Sequence, residues 1–162
     1  MVALSEEQHP IRMTEAEYLA FERQSEAKHE FIDGEVIAMV GASRAHNLIC
    51  VDLLRIISTH LRGKDCEVYS SDMRVKIARK KYTYPDVTIV CGAAQFADDE
   101  FDNLLNPTVI IEVLSKTTEA YDRGKKFKSY RQLDSLQEYI LVAQDSPHIE
   151  RYFIQLQVDA KD

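Results

Sequence analysis

Short continuous apolar runs and helically spaced apolar residues follow one another along the chain, separated by polar turn residues. The two most apolar stretches, 87–91 and 108–114, are rich in β-branched residues and predict strands that are buried on both faces. Each carries one acid: Asp86 opens the first stretch and Glu112 interrupts the second. Because a buried carboxylate without a partner is costly, two such acids on neighbouring strands indicate a shared cation.

Three segments have the pattern of helices. The predicted helices span residues 14–24, residues 44–62 and a third segment that begins at Thr117 or Thr118 and ends at about residue 133. Thr14 and Glu17 fit a capping box at the first helix start, and Ser43 is the predicted N-cap of the second. Gly63 is a natural C-terminal stop for that second helix.

The remaining pattern predicts strands and hairpins. Asp33-Gly34 between alternating runs predicts a hairpin over residues 29–39, since primed turns need positive φ. Further strands are predicted over 67–77 with a break near Asp72, 82–91, 108–115, 138–143 and 149–156. The acidic segment 92–107 is predicted to be a surface loop. This order predicts an α/β (α+β) fold with a central mixed β-sheet flanked by helices, preceded by an N-terminal helix and β-hairpin.

Length and charge narrow the class of protein. The 162 residues, 45% hydrophobic and 29% charged, predict a single domain over 1–162 with a loose lead-in at 1–13. No apolar run is long enough for a membrane span and no leader is evident, so we expect a cytoplasmic protein without a membrane partner. A net charge of −7 argues against non-specific coating of nucleic acid. Basic clusters at 76–81 and 123–131 could line a local groove or simply be solvated surface.

Cysteine and histidine patterns offer little sign of zinc. The three cysteines have no C-x2-C spacing, and the five histidines form no H-x3-H or HExxH motif. We therefore expect neither structural zinc nor a disulfide framework.

The two strand acids suggest a hard cation instead. Adjacent strands lie about 4.8 Å apart, so carboxylates at matching heights could share one divalent ion. Oxygen ligands favour Mg²⁺ or Mn²⁺, which could assist hydrolysis of a phosphodiester.

Several motifs resemble a known family. Pro85-Asp86, followed by a strand with Glu112, resembles the PD-(D/E)XK nuclease superfamily. More narrowly, the chain is similar to the Uma2 family (DUF820) of bacterial restriction-type endonucleases. The matching segments are residues 30–35, 45–47, 84–87, 111–115, 122–130 and 138–139. The resemblance implies a restriction-endonuclease-like core and divalent-metal-dependent hydrolysis of DNA.

The resemblance also implies roles for individual residues. Asp86 and Glu112, with the adjacent Val113, are the implied metal ligands. Leu114 stands where the (D/E)-x-K motif places lysine, and Lys126 matches the position from which the Uma2 family supplies it. Lysine there would orient or deprotonate the attacking water, or stabilise developing charge. The weaker substitutes are Lys116 and Lys125.

Four further residues are implied to support the site. Glu30 and Glu35 resemble the family's hairpin acids, although plain surface carboxylates would fit these positions equally well. His46 could contact phosphate or orient a ligand, or have no role at its helix start. Tyr130 could position Lys126, but a core tyrosine is the simpler interpretation.

Two further hypotheses compete with the nuclease. The first is a catalytically inactive nucleic-acid-binding or assembly protein on the same fold, favoured by the acidic charge and the absent in-motif lysine. The second is a hydrolase of another phosphoester. A nuclease that cuts both strands would be expected to act as a homodimer.

Overall fold

Two β-sheets share one hydrophobic core in the computed structural model, which describes residues 9–155. The strands are β1 (Ile11–Arg12), β2 (His29–Ile32), β3 (Glu35–Ala38), β4 (Cys66–Tyr69), β5 (Arg74–Ala78), β6 (Lys81–Thr83), β7 (Val87–Cys91), β8 (Asn103–Leu104), β9 (Val109–Val113), β10 (Glu138–Val142) and β11 (Ile149–Phe153). The helices are α1 (Glu15–Gln24), α2 (Arg44–His60), α3 (Glu119–Tyr121) and α4 (Phe127–Tyr130). A π-helical turn (Asp122–Lys126) joins α3 to α4, and we call this continuous segment the 119–130 helix.

The strand order confirms the α+β class and divides the predicted central sheet into two. The first sheet has the order β1-β3-β2-β6-β5-β8 and the second has the order β11-β10-β9-β7-β4. Both are mixed, because β5 pairs with β8 and β9 pairs with β10 in parallel while the other pairs are antiparallel. The chain passes between the two sheets more than once, and one crossing from the first to the second lies at residues 84–86, between β6 and β7.

The second sheet is covered on both faces, which explains its continuous apolar strands. Helix α2 packs on one face, where Ile111 and Val113 of β9 are buried. Ile110 and Leu114 of β9 lie instead in the core that the two sheets share. Because side chains alternate along a strand, Glu112 belongs to this shared-core side.

Local signals in the sequence are confirmed at several element ends. Thr14 and Glu17 form the predicted capping box at α1. The Ser43 hydroxyl accepts a hydrogen bond from the His46 amide at 3.1 Å and so caps α2. Asp33 and Gly34 have φ of 52° and 89°, as the predicted hairpin turn requires.

Five predicted segments differ from the structure. The lead-in predicted over 1–13 contains β1 at residues 11–12, which pairs with β3, and its residues 1–8 lie outside the described part of the chain. Residues 67–77 form β4 and β5 in different sheets, and Pro85 separates the predicted strand 82–91 into β6 and β7 because proline has no amide to donate. The segment 92–107 contains β8, whose Asn103 and Leu104 are fully buried. The third helix ends at Tyr130 rather than near residue 133.

The cysteine prediction is also corrected. Cys66 and Cys91 face each other across the antiparallel β4–β7 pair and form a disulfide with an S–S distance of 2.07 Å. Their separation of 25 residues gives no hint of this pairing, which depends on strand register.

No helix within residues 9–155 has the length and hydropathy that crossing a bilayer requires.

Candidate active site

A cavity of about 490 Å³ opens between the loop after β3, the start of α2 and the 119–130 helix. Both predicted metal-binding acids lie on its wall. The charged or titratable side chains that line it are Glu30, His46, Asp86, Glu112, Lys116, Asp122, Lys126 and two tyrosines, Tyr84 and Tyr121.

Asp86 directly precedes β7, where the chain crosses from the first sheet to the second. Strands β7 and β9 pair with Val87 opposite Ile111, so continuing this register by one residue brings Asp86 opposite Glu112. Oδ2 of Asp86 accepts a hydrogen bond from the Val113 amide at 2.7 Å and lies 3.2 Å from Nε2 of His46. Burial alone would raise the pKa of Asp86, but the contacts with His46 and Val113 outweigh it and hold that pKa below its usual value.

Glu112 is buried, with 3% of the residue exposed. Its Oε1 accepts a hydrogen bond from the Tyr130 hydroxyl at 2.8 Å and lies 2.9 Å from Nζ of Lys126. Burial raises the pKa of Glu112 to about 8; Lys126 opposes this shift, whereas Asp86 and Asp122 add to it.

Lys126 projects from the π-helical turn into a group of acids. Its Nζ lies 2.9 Å from Glu112, 3.4 Å from Glu30 and 3.7 Å from Asp122. Burial lowers the pKa of a lysine, but these carboxylates outweigh that effect and raise the pKa of Lys126 well above its usual value. The side chain is therefore an ammonium group.

Of the four predicted supporting residues, Glu30 and His46 line this cavity, and Tyr130 is buried next to Glu112. Glu30 contacts Lys126 and accepts a hydrogen bond from the Tyr121 hydroxyl at 3.3 Å. His46 contacts Asp86. Tyr130 hydrogen-bonds to Glu112, and its ring centroid is 6.0 Å from Nζ of Lys126.

Glu35 is not brought to the cavity. It lies next to the hairpin turn and pairs with Arg12 at 2.7 Å, with 39% of its side chain exposed. Strand register explains the difference, because Glu30 pairs with Ile37 whereas Glu35 pairs with Ile32, nearer the turn.

Asp122 is a cavity acid that the sequence interpretation missed. It is buried, and its Oδ2 accepts a hydrogen bond from the Thr118 hydroxyl at 3.0 Å. Burial raises the pKa of Asp122, and Lys126 and Thr118 oppose the shift. The sequence signal that could have identified Asp122 is its position four residues before Lys126, which places the two side chains on the same face of a helix.

The donor set fits a hard divalent cation. Four carboxylates, those of Glu30, Asp86, Glu112 and Asp122, line the cavity together with three basic side chains, those of His46, Lys116 and Lys126. Within residues 9–155, Oδ1 of Asp86 and Oε2 of Glu112 accept no hydrogen bond, and neither acid pairs with an arginine. Val113 lies on the same wall, where only its main-chain carbonyl could serve as a ligand. Carboxylate and carbonyl oxygens are the ligands that Mg²⁺ and Mn²⁺ prefer.

Comparison with known proteins gives consistent matches. A model of the Uma2 family, described as "Putative restriction endonuclease", matches residues 15–159. "Uncharacterized protein slr1290" and "Uncharacterized protein sll1609" from Synechocystis sp. are each 39% identical to this chain; the alignments cover 87% and 86% of this chain and 74% and 80% of those proteins. The crystal structure of "a putative nuclease belonging to DUF820" from Anabaena variabilis superimposes with a TM-score of 0.72 at 18% identity, covering 90% of this chain and 82% of that one. At that identity the structural match establishes a shared fold.

Proposed function

Because the chain belongs to the Uma2 family of restriction-endonuclease-like proteins, we propose that it is a divalent-metal-dependent endonuclease that hydrolyses DNA phosphodiester bonds. The observation that carries this proposal is the convergence of Asp86, Glu112 and Lys126 on one cavity. Two acids and an amine beside one cavity are the groups that metal-assisted phosphodiester hydrolysis needs.

The cation would be held by Asp86 and Glu112, with the main-chain carbonyl of Val113 as a further oxygen ligand. When bound, Mg²⁺ or Mn²⁺ supplies a Lewis acid that polarises the phosphodiester and eases deprotonation of the attacking water. Burial, with a smaller contribution from Asp86 and Asp122, raises the pKa of Glu112, and a bound cation would favour its ionised form.

Lys126 contributes a fixed positive charge beside these acids. Since its pKa is raised, it would donate hydrogen bonds to the attacking water or to the phosphate oxygens rather than act as the base. Negative charge that develops in the transition state would then be stabilised by this preorganised ammonium group in a partly desolvated cavity.

Tyr130 and His46 would act as positioning residues. The Tyr130 hydroxyl lies 3.1 Å from Thr83 Oγ1 while donating to Glu112, which fixes Oε1 of that acid. His46 holds Oδ2 of Asp86 together with the Val113 amide. In each acid, one oxygen is fixed and the other is left for a ligand.

Ion pairs within the predicted basic clusters argue against the competing hypothesis of a DNA-binding protein without catalytic turnover. Lys76 pairs with Glu15 at 2.7 Å, and Arg123 pairs with Glu119 and Glu150. Charges that are already neutralised by neighbouring acids release fewer counterions on binding DNA.

A cleavage assay tests the proposal. Supercoiled, linear and single-stranded DNA are incubated with the protein and Mg²⁺ or Mn²⁺, with chelator as the blank. We expect cleavage that Asp86→Asn and Glu112→Gln each reduce by at least about a hundredfold, comparable with loss of a charge-stabilising group. Asp99→Asn is the matched control, because Asp99 is an exposed loop acid.

Two results would count against the nuclease. One is that no DNA form is cut under any of these conditions; the other is that Asp86→Asn cuts as well as the wild type. DNA binding without cleavage that survives Asp86→Asn would favour the binding protein instead.

A further inference from the structure

His46 and Cys50 lie one turn apart on α2, beside Asp86. Nε2 of His46 is 3.2 Å from Oδ2 of Asp86, and Nδ1 of the same ring is 3.6 Å from Sγ of Cys50. One ligand atom from each of the three side chains lies within 4.8 Å of the other two. Within residues 9–155 this is the single group of three or more His, Cys, Asp or Glu side chains that meets this distance.

The thiol in this group is free to act as a ligand. Cys66 and Cys91 are joined in the disulfide, which leaves Cys50 as the free cysteine, and it is half-buried. His46 and Asp86 also line the cavity, with 16% and 14% of their side chains exposed, so a cation could reach them from solvent.

The ligand chemistry differs from that of the acidic centre. A thiolate and an imidazole favour borderline-soft cations such as Zn²⁺ and Co²⁺, whereas Mg²⁺ prefers oxygen ligands alone. Three protein ligands would leave a coordination position open toward the cavity. The sequence signal for this site is the H-x3-C spacing of His46 and Cys50 on one face of α2. Motifs that require two histidines do not include it.

We propose that His46, Cys50 and Asp86 form a binding site for a thiophilic divalent cation such as Zn²⁺. The site shares Asp86 with the acidic centre and uses two side chains that have no metal-binding role there. Zn²⁺ bound in this way engages the carboxylate that the acidic centre needs. It therefore inhibits DNA cleavage, a consequence that rests on the proposed nuclease function, whereas the cation site itself does not.

Titration with Co²⁺ tests the site without reference to activity. A thiolate bound to Co²⁺ gives an intense charge-transfer band in the near ultraviolet. We expect this band to saturate at one equivalent, to disappear on addition of Zn²⁺ and to withstand excess Mg²⁺. Cys50→Ser should lose the band and weaken Co²⁺ binding by at least about tenfold. The matched control is the Cys66→Ser/Cys91→Ser double variant, which should keep the band.

Alkylation of the wild-type thiol gives a second measurement that needs no variant to fold. One equivalent of Zn²⁺ should slow modification of Cys50, and Mg²⁺ should leave its rate unchanged. The site is contradicted if wild-type protein gives no thiolate band with Co²⁺, if Cys50→Ser keeps the band, or if Zn²⁺ leaves alkylation unaffected.

Inhibition is measured separately. Zn²⁺ in the presence of excess Mg²⁺ should suppress cleavage by the wild type, and Cys50→Ser should retain basal cleavage while resisting Zn²⁺. Equal Zn²⁺ sensitivity of the two proteins would overturn the competition for Asp86. If the protein cuts no DNA at all, the proposed nuclease fails while the Co²⁺ titration still decides whether the cation site exists.

Discussion

Lys126 is a buried ammonium that pairs with three cavity carboxylates, so its removal should affect both cleavage and stability. Lys126→Met should reduce cleavage by about 10²- to 10⁴-fold, because no charge remains to orient water or stabilise the transition state. It should also lower the free energy of unfolding by about 3 kcal/mol, near the lower limit for a broken buried pair, since Glu112 can take up a proton. Denaturant titration and cleavage rates check both effects.

Lys125 is the matched control for this substitution. It precedes Lys126 on the same helix and is exposed. Lys125→Met should change the unfolding free energy by no more than about 0.5 kcal/mol and leave cleavage intact. Equal effects at the two positions would show that Lys126 has no special role.

Glu112 should make the stability of the metal-free protein depend on pH. Its pKa is raised from 4.5 when unfolded to about 8 when folded, so the folded state keeps a proton that the unfolded state loses as pH rises through this window. Stability should therefore fall between pH 4.5 and 8, by up to about 1.4 kcal/mol per pH unit, and level off above it.

Denaturant unfolding in chelator at a series of pH values measures this dependence. Glu112→Gln should flatten the profile over the window, because the amide keeps the shape and does not titrate. A variant whose profile matches the wild type would show that another group causes the dependence.

The N-terminus of α2 carries both the helix cap and a residue of the candidate site. The Ser43 hydroxyl accepts a hydrogen bond from the His46 amide, and the His46 side chain contacts Asp86. Ser43→Ala should lower the free energy of unfolding by about 1 kcal/mol, the usual cost of losing an N-cap. Ser58→Ala on the exposed side of the same helix should be nearly neutral, and equal losses for the two variants would contradict the capping role.

The 119–130 helix shows where sequence patterns stop being informative about an element. Spacing predicted a regular helix, but residues 122–126 form a π-helical turn that contains Gly124 and directs Asp122 and Lys126 inward. The spacing of apolar residues gives no sign of such a turn, although π-helical turns occur often at functional sites. Lys126 was therefore predicted from family resemblance, and Asp122 was missed.

The division into two sheets could not be predicted from local patterns. The residues on both sides of Pro85 favour strands, and nothing in them shows that Thr83 and Val87 belong to different sheets. The helix caps at Thr14 and Ser43 and the Asp33-Gly34 turn depend on a few neighbouring residues and were predicted correctly. Sheet membership, the Glu35 position and the Cys66–Cys91 pairing depend on register between distant segments.

The disulfide ties β4 to β7 within the second sheet and should stabilise the whole molecule. For its 25-residue separation, loss of the cross-link should lower the free energy of unfolding by about 3 kcal/mol. Reductant should therefore shift the denaturation midpoint of the wild type and leave the Cys66→Ser/Cys91→Ser variant unchanged. The same shift in both proteins, or in neither, would contradict the cross-link.

The central claim is that Asp86 and Glu112 bind one divalent cation beside Lys126. The most direct measurement is anomalous diffraction from crystals soaked in MnCl₂. We predict a manganese peak about 2.1 Å from a carboxylate oxygen of each acid. Crystals that show manganese only at other positions, with Asp86 and Glu112 uncoordinated, would contradict the claim.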